Sequence, residues 1–203
     1  MTELKLEPLQ TSPDFFPILP WDPLHGWDGS LQPRQGIASM AECNFTMAGF
    51  VRPQDLPLCE ELGLAALVRL GGLGGASGLQ TLSSDEIDEK VRAAVERAGE
   101  SKALKGFYLC DEPGAESFGA LGKVVEAVKK YAPGKLAYIN LFPDYATIGA
   151  PDISQLDTAS YTEYLERYVA EVKPQFISYD NYRVQFSNDL RDTAQAASYY
   201  TNL

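Results

Sequence analysis

The sequence predicts an α/β fold built on a parallel sheet, and three observations carry that prediction. Apolar, strand-like segments alternate with amphipathic, helix-like ones about every 30 residues, with no hairpin signal between them. The run 104–114, LKGFYLCDEPG, contains a segment from Gly106 to Cys110 apolar enough to be covered on both faces, as a central parallel strand must be. It stops at two carboxylates, Asp111 and Glu112, followed by a Pro-Gly turn. The helices are delimited by their own chemistry: Ser83 with Glu86, and Ser160 with Glu163, are spaced as capping boxes.

In chain order, residues 15–20 read as a first, proline-broken strand, leading into a loop with Asp22, His25, Trp27 and Asp28. Residues 41–51 read as a second strand region and 52–62 as a helix with a proline-rich start. Residues 64–70 form a compact apolar strand, followed by the glycine-rich loop 71–78. That loop lacks a Gly-Lys-Ser/Thr ending and the dinucleotide spacing, so it predicts a mobile loop at a pocket mouth rather than a phosphate cradle. Ile87, Val91, Ala94, Val95 and Ala98 form one helical stripe, and Phe118, Leu121, Val124, Val125 and Val128 a second. Residues 135–142 and 175–179 read as two more strands. Between them a helix carries Tyr161, Tyr164, Leu165, Tyr168, Val169 and Val172 on one face, a pattern of core packing. A last helix begins near Asp189.

This gives six expected strands, at 15–20, 42–49, 65–70, 105–110, 135–141 and 175–179. A TIM (β/α)8 barrel needs eight and runs to roughly 250 residues. The chain of 203 residues therefore reads as a single barrel domain over 1–203, incomplete at its C-terminal end. An open doubly wound sheet would carry a nucleotide fingerprint after its first strand, and the sequence shows none. An unclosed sheet would also leave edges near 15–20 and 175–179, which predicts non-native self-association.

Composition narrows the function. Seventeen Lys and Arg against 28 Asp and Glu give a net charge of -11, which disfavours nucleic acid as a partner. No apolar run is long enough to insert in a membrane, and the first residues lack the apolar segment of a signal peptide. The reading is cytoplasmic, or exported if an upstream segment is missing. Cys43, Cys59 and Cys110 have no metal-site or disulfide spacing and read as buried free thiols. His25 is the only histidine, which argues against Ser-His-Asp catalysis and multi-histidine metal sites. No metal or cofactor is expected.

The expected strand ends share one chemistry. Trp21 and Asp22 end the first, Asn44 lies in the second region, and Asp111 and Glu112 end the fourth. Asn140 lies near the end of the fifth, and Tyr179, Asp180 and Tyr182 end the sixth. Carboxylates, amides and aromatic rings converging on one barrel mouth suit a carbohydrate, whose hydroxyls need paired donors and acceptors and whose C–H face stacks on rings.

The stretches CDEPG at 110–114, YINLFP at 138–143 and FISYDNY at 176–182 resemble clan A (β/α)8 glycoside hydrolases of polysaccharide-degrading bacteria. That resemblance implies Glu112 as general acid/base, with Trp21, Asp22, Asn44, Asp111, Asn140, Tyr179, Asp180 and Tyr182 contacting the sugar. It implies a retaining mechanism in the complete protein, its nucleophile on a later strand beyond Leu203, so that this chain alone lacks it. The clan usually has Asn before the acid/base glutamate; here the residue is Asp111, which alters the contact to the sugar 2-hydroxyl. Asp180 is the strand-end carboxylate within the chain that could stand in as a partner, at an inverting spacing. Two other classes stay open: a non-catalytic carbohydrate-binding barrel, and a different (β/α) barrel enzyme such as a lyase or isomerase acting on a small acid.

Overall fold

The structure, a computed structural model, describes residues 15–21, 32–73, 78–147 and 155–181. Its elements alternate in chain order: α1 (Pro33–Glu42), β1 (Met47–Val51), α2 (Leu56–Glu61), β2 (Ala65–Arg69), α3 (Ser84–Ala98), β3 (Leu104–Asp111), α4 (Phe118–Tyr131), β4 (Leu136–Leu141), α5 (Tyr161–Arg167) and β5 (Ser178–Tyr179). The five strands form one sheet in the order β1-β2-β3-β4-β5, every pair parallel.

The two faces of that sheet differ. One face presents Ala48, Ala66, Val68, Phe107, Leu109, Ala137, Ile139 and Leu141 to a core completed by Ile37 and Met40 of α1, Cys59 of α2, Val91 of α3, Val124 of α4 and Tyr164 of α5. The other face carries Met47, Phe50, Ala65, Leu67, Tyr108 and Tyr138, and no helix of the described residues contributes to that cluster. A sheet with sequential strand order and helices on one face is singly wound, the architecture of a partial (β/α)8 barrel. A doubly wound sheet would reverse its order midway and carry helices on both faces.

Local sequence accounts for the helix boundaries. Ser83 accepts from the Glu86 N–H at 3.3 Å, and the Glu86 carboxylate accepts from the Ser83 N–H at 2.8 Å, a complete capping box for α3. Ser160 caps α5 by accepting from the Glu163 N–H at 3.2 Å, but Glu163 reaches back to the Ala159 N–H instead, so only half of the expected box forms. The helix α5 runs on into a π turn, Tyr168–Val172, and ends at Lys173 in the left-handed conformation, φ 52°. Tyr164, Tyr168 and Val172 are buried, as their spacing predicts.

Four expectations change. Residues 15–20 join no strand ladder. Pro17 and Pro20 have no N–H to give. The segment is held instead by Thr46, whose hydroxyl donates to the Phe16 carbonyl at 2.6 Å and accepts from the Ile18 N–H at 2.7 Å. The sheet therefore has five strands among the described residues, not six. Residues 41–46 are not strand: α1 ends there, and Cys43 is exposed rather than buried. Residues 175–179 yield only the two-residue β5. The loop at 71–78 lies partly, and the helix expected from 189 entirely, outside the described residues.

One glycine is held closely in the β3–β4 ladder that leads to the strand ends. Gly106 pairs with Leu136, and after a one-residue register shift between Tyr108 and Cys110, Asp111 pairs with Asn140. A Cβ at Gly106 would lie 2.6 Å from the Leu136 Cβ and 2.9 Å from its Cα, with the Leu136 carbonyl oxygen closer still. A neighbouring backbone cannot swing aside as a side chain can. Gly106→Ala is expected to destabilise the protein by about 1–3 kcal/mol in urea unfolding, the usual cost of overpacking. Unchanged stability would mean that the two strands part freely at this point.

Candidate active site

The site is built at the C-terminal ends of β3, β4 and β5, on the face that the helices leave uncovered. Side chains alternate between faces along a strand. In β4, Ala137, Ile139 and Leu141 go to the helices, and Tyr138 and Asn140 to the other side. After β5, Asp180 hydrogen-bonds Asn140, while Tyr179 packs with the helix-side core. At the end of β3 the alternation breaks. Glu112 has φ 42°, in the left-handed region that a side chain rarely adopts. This turn lets Asp111 and Glu112, consecutive in sequence, act on the same neighbour, Asp180.

The loop that follows Glu112 is tied down. Tyr164, fully buried in α5, donates its hydroxyl to the Pro113 carbonyl at 2.7 Å. Ser117 donates to the Gly114 carbonyl at 2.7 Å, and Arg167 donates to the Ala115 carbonyl at 3.1 Å. The strained residue thus sits between a central strand and a pinned turn. Strain of this kind persists only where surrounding structure holds it, and it gathers at functional sites.

Asn140 joins the three carboxylate residues. Its amide nitrogen donates to Asp111 Oδ1 at 3.1 Å and to Asp180 Oδ1 at 2.8 Å, and its backbone carbonyl accepts from the Glu112 N–H at 2.8 Å. Its own Oδ1 accepts from the Ser178 hydroxyl at 3.0 Å. Ser178 Oγ lies 2.9 Å from the Tyr138 hydroxyl. The serine's single proton goes to Asn140, so Tyr138 is the donor of that last bond. Asn140 is 2% exposed. It was expected to contact the sugar; the structure instead commits both its amide protons to protein carboxylates.

The acidities follow from this crowding. Burial, a hydrogen bond with Asp180, and the charges of Asp180 and Asp111 push the Glu112 carboxyl from 4.5 up to about 7. Asp111 is exposed over part of its surface, yet desolvation of its carboxyl raises it, the Asn140 hydrogen bond opposes the rise, and the Asp180 charge adds to it. Cys110, just before them, is pushed up to about 12, chiefly by burial. It is an inert core thiol rather than a nucleophile.

Below the carboxylates the same face is aromatic. Phe50 and Tyr108 stack at 3.8 Å between ring centres, Tyr138 lies 6.2 Å from each, and Phe176 lies 5.5 Å from Tyr138. Trp21 meets Phe50 and Tyr108 edge-on at 5.0 and 5.9 Å and is 47% exposed. It therefore caps the aromatic patch, although the segment carrying it is not a strand. The Arg69 guanidinium lies 5.5 Å above the Tyr108 ring. Sequence reasoning passed over Arg69. The signal was available, since a charged residue ending an apolar strand stands where Asp111 stands in β3.

The expected site residues thus divide. Glu112, Asp111, Asn140 and Asp180 come together, with Trp21 on the adjoining aromatic patch. Asn44 does not join them: it precedes β1 and lies at the opposite end of the sheet. Its N–H donates to the Ala41 carbonyl, the Phe45 N–H donates to Met40, and its φ is 59°. That is a Schellman motif ending α1, with Asn44 as the left-handed residue. Gly63 does the same work after α2, with φ 70°. Tyr179 faces the helices, and Asp22 and Tyr182 lie outside the described residues.

No family model and no curated protein matches the chain. Among solved structures it is similar to GH5_18 from Streptomyces cattleya, crystallised in complex with Manb1-4GlcNAc, at 16% identity and a TM-score of 0.42, over 56% of this chain and 40% of that one. The chain thus spans well under half the length of that structure.

Proposed function

We propose that Glu112 is the general acid/base of a glycoside hydrolase acting on an oligo- or polysaccharide. One observation carries the reading: a glutamate held in a strained conformation at the C-terminal ends of parallel strands, its carboxyl pushed up to about 7 by burial and two neighbouring carboxylates. A glycosidic acid must hold a proton at neutral pH and release it to the leaving oxygen, and crowding of carboxylates is how such a group is made. The aromatic patch beside it offers ring faces and edges to a sugar's C–H groups.

Asp180 tunes this acid rather than partnering it. In a retaining reaction the two carboxyl groups stand roughly 5–5.5 Å apart, with the anomeric carbon between them, and in an inverting one farther still. Asp180 is in hydrogen-bond contact with Glu112, closer than either arrangement. The retaining nucleophile belongs, in this proposal, to a strand beyond those described.

The test is a pH–rate profile on aryl glycosides and polysaccharides, run on a protein that includes the nucleophile strand. If Glu112 must be protonated, kcat/KM falls tenfold per pH unit above about 7 and is flat just below it. A rate that keeps rising above pH 8 on every substrate would refute an acid role for Glu112. A second reading has its own observation. Arg69, over the Tyr108 ring on the adjoining aromatic patch, supplies a cation of the kind that a lyase or isomerase would need to hold a small acid. Turnover of small carboxylate substrates with none of glycosides would favour it.

A further inference from the structure

We propose that Asn140 is a positioning residue: its two amide protons keep Asp111 and Asp180 as hydrogen-bond acceptors, and so leave Glu112 as the carboxyl that carries the site's proton. The inference rests on the reading of Glu112 as the acid and names the residue that decides which of three crowded carboxylates takes that part.

Glu112 hydrogen-bonds Asp180, and the charges of Asp111 and Asp180 act on one another and on Glu112, so ionising all three at once is costly and a proton is held among them up to about pH 7. Which one holds it depends on where the fixed donors point. An amide N–H can only donate, and it favours the ionised form of the oxygen it faces. Asn140 directs its donors to Asp111 at 3.1 Å and Asp180 at 2.8 Å, and gives Glu112 only a backbone carbonyl that takes its N–H. The Glu112 carboxyl is thereby the one left to donate across its contact with Asp180.

The amide cannot turn over. Its oxygen accepts from Ser178, whose hydroxyl is in turn held by Tyr138. Reversed, the Asn140 oxygen would face two carboxylates and its N–H the Ser178 hydroxyl. The chain of bonds therefore runs one way, from Tyr138 through Ser178 and Asn140 to the acids. The other titratable groups acting on this set are Tyr108 and Cys110 of β3 and Tyr138 of β4, with Arg69 of β2 on the Tyr108 ring. Burial raises the two tyrosines and the thiol, so all three are neutral near pH 7 and the proton belongs to the carboxylates.

The experiment is a carboxyl 13C NMR titration of the full chain, with the Glu112 resonance assigned by its loss in Glu112→Gln. In Asn140→Leu, similar in volume but without donors, the shared proton passes to the Asp180 side. The Glu112 midpoint is expected to fall by about one pH unit or more. Ser178→Ala, which frees the amide to turn, is expected to shift it less and in the same direction, and serves if Asn140→Leu does not fold. A purely packing role for Asn140 would lower the unfolding temperature and leave the Glu112 midpoint where it is in the variants that fold, which would overturn the proposal. A rise of the midpoint would overturn it as well. The two readings fail separately. A falling midpoint in a protein that includes the nucleophile strand and turns over no glycoside removes the hydrolase reading and keeps the role of Asn140. Glu112-dependent turnover with a fixed midpoint does the reverse.

Discussion

In a protein that includes the proposed nucleophile strand, replacing Glu112 by Gln is expected to lower glycoside turnover by about 10²–10⁴-fold, the usual contribution of a positioned acid/base, and to leave sugar binding in place. Gln is nearly the same size and keeps the left-handed turn, so the fold has no steric reason to change. Stability offers an independent reading of the same variant. In the folded protein Glu112 titrates near 7, above its ordinary 4.5, so folding takes up a proton between those values. The stabilisation from that proton is complete below about pH 4.5 and is lost as pH rises through 7. With solvent screening allowed for, the loss is about 1 kcal/mol. Glu112→Gln should remove this slope, so that the wild type and the variant diverge on raising the pH from 5 to 8. Urea unfolding at those two pH values measures it. Equal slopes would mean that the carboxyl is not crowded as the geometry requires. Wild-type turnover retained by the variant would exclude Glu112 from the chemistry altogether.

The largest expected loss of stability is at Tyr164. Its ring is fully buried against Phe118, 5.1 Å between centres, and its hydroxyl holds the Pro113 carbonyl next to Glu112. Tyr164→Ala empties that volume and is expected to cost about 3–5 kcal/mol, as for other large aromatic truncations. Tyr164→Phe keeps the ring and leaves the Pro113 carbonyl without its donor, at about 1–3 kcal/mol. The pair separates packing from positioning. If the Pro113 bond holds Glu112 in place, Tyr164→Phe lowers kcat more than it raises KM, even in protein that remains folded. A Phe variant with wild-type kinetics would confine Tyr164 to the core.

The strands and helices that could be read from the sequence are those whose evidence is local. The apolar run of β3, the stripes of α3 and α4 and the caps Ser83 and Ser160 are each contained in a dozen neighbouring residues, and each stands where its pattern puts it. The α1 helix was missed for the same reason. Its buried stripe is only Gly36, Ile37 and Met40, too sparse to stand out from the apolar stretch that follows. The segment at 15–20 looks like a strand by composition, and its two prolines deny it the donors that a ladder needs.

The site divides along the same line. That Glu112 ends a buried strand, beside Asp111, was determined by the sequence alone, because strand ends and strand order follow from alternation of pattern. The sequence could not decide the duty of each polar neighbour. Asn44 and Asn140 are the same residue type near expected strands. One became the left-handed cap of α1, and the other a buried bridge between two acids. Tyr179 and Asp180 are adjacent, and β5 sends one to the core and the other to the acids. Those outcomes depend on which residue lies across the neighbouring strand and on which donor reaches an oxygen. Such pairings join residues about 30 to 40 apart, and they exist only once the sheet has brought β3, β4 and β5 side by side.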